Sequence, residues 1–101
     1  VLNKTTMSAF PSTSLKEVLQ SLNVSYLVFA GVSTNFCVEA TARNAVDYGY
    51  KSVMVEDASS AYNKDWQDNA IDMWRRFFGR AIPTEDIIVE MENVLELVVD
   101  T

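Results

Sequence analysis

Cys37 ends the segment Gly31-Val32-Ser33-Thr34-Asn35-Phe36-Cys37, which leaves an apolar run and enters a stretch of helical spacing. A thiol in the first turn of a helix lies among amides that have no partner inside the helix, at the positive end of its dipole. Both favour an anion, so such a cysteine is presented as thiolate, the form that attacks a carbonyl carbon. The same amides can hold the oxyanion of a tetrahedral intermediate. A lone cysteine is also a common small core residue, and spacing alone leaves both readings open. Thr34 and Asn35 are helix-capping types. Lys4 reads as a solvated surface charge and Asp57 as a loop or cap residue.

What the chain lacks narrows the chemistry further. It has no histidine, so a Ser-His-Asp triad, a Cys-His dyad and a His-ligated zinc site cannot be built from these residues alone. With 14 acidic residues against 8 basic ones, the net charge is −6. The average field repels phosphate, which argues against a nucleic-acid partner. One cysteine forms no internal disulfide, which fits a reducing, cytoplasmic location. No apolar run approaches the roughly 20 residues a membrane span needs. No basic stretch followed by an apolar core opens the chain, so no secretion signal is expected.

Those residues must be positioned by a fold, and 101 residues suffice for one domain. Leu15, Val18, Leu19 and Leu22 make one apolar stripe on a helix over residues 14–22, with Ser14 as N-cap and Glu17 as its capping-box partner. Residues 25–31 form a continuous apolar run, as a strand buried on both faces does. Helical spacing returns from Asn35 to Tyr48 and stops at Gly49. Lys51 to Glu56 reads as a second strand ending at Asp57. Residues 64–78 read as a helix anchored by Trp66, Ile71, Trp74 and Phe78, closed by Gly79 with Pro83 beyond. The cluster Trp66, Trp74, Phe77 and Phe78 suits a core or a subunit interface better than a substrate cage. Asp86 to Val89 reads as a third strand, and 92–99 as a last helix.

Alternating helices and strands predict an α/β fold: three layers, α/β/α, around a parallel, Rossmann-like sheet. In such sheets ligands bind beyond the carboxyl ends of the strands, where Gly31–Cys37, Glu56–Tyr62 and the approach to the last helix all fall. Val1-Leu2 resembles the tail of a strand and no methionine precedes it, so the chain is expected to be a piece of something longer. Three strands are a small sheet, with one edge bare if nothing precedes them.

The run from Val28 to Ala45, Val-Phe-Ala-Gly-Val-Ser-Thr-Asn-Phe-Cys-Val-Glu-Ala-Thr-Ala-Arg-Asn-Ala, resembles the nucleophile motif of the isochorismatase-like cysteine hydrolases. That superfamily includes nicotinamidases, N-carbamoylsarcosine amidohydrolases and ureidoacrylate amidohydrolases. Lys4 with Ser8-Ala9-Phe10, Thr13 and Leu15 is similar to its lysine motif, and Tyr50 to Asp57 with Ala58 to the strand after its nucleophile helix. The three blocks cover most of residues 2–62 in the family's order.

The resemblance implies an Asp, Lys, Cys mechanism. Cys37 would attack a carbonyl carbon, form a thioester, release ammonia or an amine, and be freed by water. Lys4 would lie close to the sulfur and favour its thiolate. A cis peptide is implied at Val32-Ser33, with the Ser33 and Cys37 amides as oxyanion hole. Phe10, Asn35 and Phe36 are the implied substrate-binding residues. A small-molecule substrate and a homo-oligomer are expected, with no cofactor and no assignable metal.

One part of the pattern is missing. The family's aspartate lies on a first strand before the lysine motif, whereas Asp47, Asp57 and Asp65 all follow the cysteine. Residues 1–101 therefore resemble the C-terminal part of a single isochorismatase-like domain, about half of its sheet. The expected parent is a thiol-dependent hydrolase of a small C–N amide, ureido or carbamoyl compound, leaning toward the ureidoacrylate branch. Little activity is expected of the 101 residues alone. The alternatives are an isochorismatase-type vinyl-ether hydrolase, which does not depend on cysteine here, and a truncated, non-catalytic interaction chain.

Overall fold

The apolar runs fold as parallel strands in a computed structural model that describes the backbone of residues 1–100 and the side chains of residues 1–93. In chain order the elements are α1 (Leu15–Leu22), β1 (Tyr26–Val32), a π-helical turn (Thr34–Val38), α2 (Glu39–Asp47), β2 (Lys51–Ser60), α3 (Lys64–Phe77), β3 (Arg80–Ile82) and α4 (Thr84–Asp100). The sheet runs β1-β2-β3 with both pairings parallel.

Alternation along β2 splits the core in two. Met54 points to the face where Val38, Ala42, Ile71 and Trp74 pack, with Phe29 of β1 beside them. Phe10, Leu19 and Ala45 extend that layer under α1. Val53 and Val55 point the other way, against Ile87 of α4 and Ile82. Helices thus lie on both faces, the three-layer arrangement expected.

β1 departs from its expected burial on both faces. Tyr26 is 61% exposed, Val28 40% and Val32 72%. Val28 pairs with Val53 and so lies on the face of α4, but α4 packs over β2. Among the described residues β1 is an edge strand with an uncovered apolar face.

The third strand is not at Asp86 to Val89. It is Arg80–Ile82, directly after Gly79, where an added Cβ would run into the carbonyl of Ser52. Ile87, Ile88 and Val89 read as strand because they are β-branched. Pro83 sets a helical φ at the helix start, and Glu85 and Asp86 place acid in its first turn, so a helix wins. Ile87 faces the sheet while Ile88 and Val89 are exposed, an amphipathic pattern. The helix expected at 92–99 is the end of α4, and its side chains from residue 94 lie outside the described residues.

Other ends differ too. Ser14 makes no side-chain cap, and the expected box with Glu17 gives way to Thr13, whose hydroxyl accepts from the Leu15 amide at 3.1 Å. β2 runs past Asp57 to Ser60. Within α3, Ile71 and Trp74 are buried as expected, but Trp66 is 47% exposed and lies against Tyr62. Asn63 caps that helix, accepting from the Trp66 amide at 2.9 Å.

Asp57 closes the far end of the sheet. Its Oδ1 accepts from both the amide and the hydroxyl of Thr84, each at 2.7 Å, and so caps α4 from another element. The Thr84 hydroxyl, then the Thr84 amide, hold the carboxyl below the usual carboxylate range. A depressed folded value means that the stabilisation is complete above about pH 4 and is lost as the pH falls through that lowered value. Asp57→Ala is therefore expected to lower the urea midpoint at pH 7, with the gap to the unmodified chain narrowing near pH 3. A constant gap would contradict the capping role.

Candidate active site

The approach to Cys37 is built by a break in strand register. Phe29 pairs with Met54, yet Gly31 pairs with Ser59 and Val32 with Ser60, so β2 bulges beside the end of β1. Gly31 has φ of +128°, which side-chain-bearing residues rarely adopt. The next peptide bond, Val32–Ser33, is cis. Ser33 is half-buried, and its carbonyl accepts from the amides of Phe36 at 3.1 Å and Val38 at 3.2 Å, the neighbours of Cys37 on either side. The bond to Val38 spans five residues and makes the turn π-helical. Such turns occur often at functional sites. Cys37 is a half-buried free thiol within it.

The N-terminal segment folds over this turn. Its amide at Ala9 donates to the Thr41 hydroxyl at 2.9 Å, and the Ser8 hydroxyl donates to Asn44 Oδ1 at 2.5 Å. Lys4 is exposed, and its Nζ donates to the Thr6 carbonyl at 2.9 Å. Lys4 and Cys37 line one pocket of about 180 Å³ with Phe29, Gly31, Val32 and Thr41. The pocket opens at the carboxyl end of β1, where the fold class places ligands. Its lining includes no carboxylate among the described residues.

The remaining sequence candidates lie elsewhere. Phe10 is 6% exposed, in the core with Leu19 and Ala45, its ring edge-on to Tyr48 at 5.1 Å. Its place is behind the lysine segment, not in the lining of the Cys37 pocket. Asn35 and Phe36 line a neighbouring hollow of about 280 Å³ with Met7 and Arg43. Thr34 is fully buried, and its hydroxyl has no partner among the described residues. A larger hollow of about 470 Å³ lies between the end of β2 and α3. Its groups are tied up structurally: Arg75 pairs with Glu56, and Gln67 donates to the Glu56 and Ser59 carbonyls.

Thr41, which joins the lysine segment to the nucleophile turn, is inconspicuous in the sequence. Its only local sign is its place four residues after Cys37, one helical turn on.

The model of the isochorismatase domain family matches residues 1–86. The chain belongs to the isochorismatase family. It is 36% identical over 84 residues to the ureidoacrylate amidohydrolase RutB of Agrobacterium fabrum, covering 82% of this chain and 37% of that relative. The solved cysteine hydrolase of Pseudomonas syringae superposes with a TM-score of 0.87 at 27% identity, over 91% of this chain and 48% of that one. The nicotinamidase/pyrazinamidase of Bacillus subtilis superposes with a TM-score of 0.75 at 28% identity, over 78% of this chain and 44% of its own. The chain thus spans about half of these solved structures and a little over a third of the curated relative.

Within this isochorismatase-family chain, the isochorismatase match takes in the lysine segment, the π turn and β2 together. The parallel sheet flanked by helices is the architecture of the isochorismatase-like hydrolase structures. No helix of the described residues is long and apolar enough to cross a membrane.

Proposed function

We propose that the whole protein is a cysteine amidohydrolase acting on a small amide, ureido or carbamoyl compound, with Cys37 as nucleophile. One observation carries this: Lys4 and Cys37, far apart in the chain, line the same pocket at the carboxyl end of β1. Cys37 Sγ attacks the substrate carbonyl carbon, and the C–N bond breaks to leave a thioester and ammonia or an amine. Water then adds to the thioester carbonyl, the C–S bond breaks, and the carboxylic or carbamic acid leaves as the thiol is restored. Lys4 favours the thiolate through its charge. The amides of Ser33 and Cys37, on either side of the tight turn after β1, face the developing oxyanion.

The mechanism needs a proton carrier, and the pocket lining supplies no acid among the described residues. In this reading the 101 residues are the C-terminal part of the domain, and the carboxylate comes from its remainder. The coverage of about half in the solved relatives supports that division. The exposed apolar face of β1 supports burial against further chain, from the same domain or from a second subunit of a homo-oligomer. A cytoplasmic protein is the reading that suits its single, unpaired cysteine. Similarity to a ureidoacrylate amidohydrolase favours an acyclic ureido acid over a ring amide.

Ammonia release by the complete protein tests the assignment. Turnover is expected with an acyclic ureido acid, and weaker or none with nicotinamide. Absence of hydrolysis across both classes would contradict it.

A further inference from the structure

Cys37, Thr41 and Asn44 fall at i, i+4 and i+7, one face of the helical run that begins at the π turn. The segment carrying Lys4 docks on that same face, through Ala9 to Thr41 and through Ser8 to Asn44. We infer that Thr41 is the positioning residue that holds the Lys4 segment in register with Cys37, with Asn44 as a second tether. The inference rests on the reading of Cys37 as nucleophile and Lys4 as its cationic partner.

The hydroxyl of Thr41 both donates and accepts, each in a set direction. It donates its one proton to the Cys37 carbonyl at 2.9 Å. One of its two lone pairs is thereby turned toward the Ala9 amide, which donates to it at 2.9 Å. One oxygen therefore joins the backbone of the nucleophile turn to the backbone of the lysine segment. Lys4 has no such anchor of its own: it is exposed, and its amine is held by Thr6, two residues on in the same segment. The location of the ammonium is set by where residues 4–10 dock. Phe10, buried behind the two tethers, gives the segment grip but no direction, since apolar packing is non-directional. Thr41 also lines the pocket that Lys4 and Cys37 share.

The experiment is the rate of iodoacetamide alkylation at Cys37, followed by peptide mass mapping in the intact protein. It compares the unmodified protein, Thr41→Val, Lys4→Ala and the double variant. Valine keeps the shape of threonine and removes both hydrogen bonds. Thr41→Val is expected to slow alkylation roughly fivefold, the scale of a charge moved away from a partly screened site. Lys4→Ala should slow it at least as much, and the double variant should be no slower than Lys4→Ala, because residues acting through one another are not additive. Thr41→Ser, which keeps donor and acceptor, should restore the rate. If Thr41→Val does not fold, Asn44→Ala in the same cycle with Lys4→Ala carries the test.

An unchanged rate in Thr41→Val overturns the inference. So does an equal slowing with and without Lys4, which would mean that Thr41 acts on the cysteine turn directly. If instead Cys37 of the unmodified protein reacts like an unstructured thiol and Lys4→Ala changes nothing, the nucleophile reading itself falls. The two failures are thus told apart.

Discussion

Cys37→Ala in the complete protein is expected to reduce amide hydrolysis by about 10⁴-fold or more, as removal of a covalent nucleophile does in other hydrolases. The size of the effect follows from the pathway: without the sulfur no thioester forms, and the oxyanion amides and Lys4 have no attacking atom to assist. Cys37→Ser should fall almost as far, because a serine hydroxyl is far less acidic than a thiol and stays protonated where the thiol ionises, which leaves a much weaker nucleophile. Substrate binding should change far less than turnover, since alanine leaves the pocket walls of Phe29, Gly31 and Thr41 in place. Ammonia release from a ureido acid, set against substrate binding measured calorimetrically, separates the two. Turnover by Cys37→Ala within tenfold of the unmodified protein would remove the cysteine from the mechanism.

Trp74→Ala is expected to have the largest effect on stability. Trp74 is 1% exposed, packs with Met54, Ile71 and Ala42, and stacks on Phe78 with ring centroids 5.5 Å apart. Its Nε1 donates to the Arg80 carbonyl at 2.8 Å, joining α3 to β3. Truncating a buried tryptophan costs about 3–5 kcal/mol, and the stranded carbonyl adds roughly 1–3 kcal/mol where water does not reach it. Native domains are stable by about 5–15 kcal/mol, so a large share of the margin goes. Trp74→Phe keeps the stacking and loses the hydrogen bond, and should cost much less. Urea unfolding followed by far-ultraviolet circular dichroism measures both. A loss below 1 kcal/mol for Trp74→Ala would mean that this cluster does not hold α2 and α3 to the sheet. The cluster includes Val38, next to Cys37, so the same substitution should also loosen the nucleophile turn.

How much of this was legible beforehand depended on how local the physics is. The strand-to-helix setting of Cys37 and the glycine-led turn after β1 are short-range features that side-chain type and spacing expose. Spacing alone leaves Cys37 between a reactive and a core role, and Lys4 is marked only by the family resemblance. The helical stripe of α1 and the apolar runs of β1 and β2 are periodic signals of the same kind. β3 has three residues, too few to show any period, and the β-branched run in α4 imitates a strand until Pro83 and Asp57 are both in place. The π turn could not be read from its own residues, because it accompanies a register break between two strands. Thr41 looks like an ordinary polar residue of a helix until the lysine segment is seen lying across it. Exposure of β1 is likewise a matter of what covers it: its residues are apolar on both faces, and among the described residues α4 packs on β2 and on Ile82 of β3.

The central claim is that the fold makes Cys37 an activated nucleophile, and its alkylation rate in the intact protein tests that most directly. At neutral pH, iodoacetamide should modify Cys37 at least about tenfold faster than an unstructured cysteine peptide, despite the half-burial of the thiol, because only the thiolate reacts. A rate equal to or below that of the peptide would contradict the account.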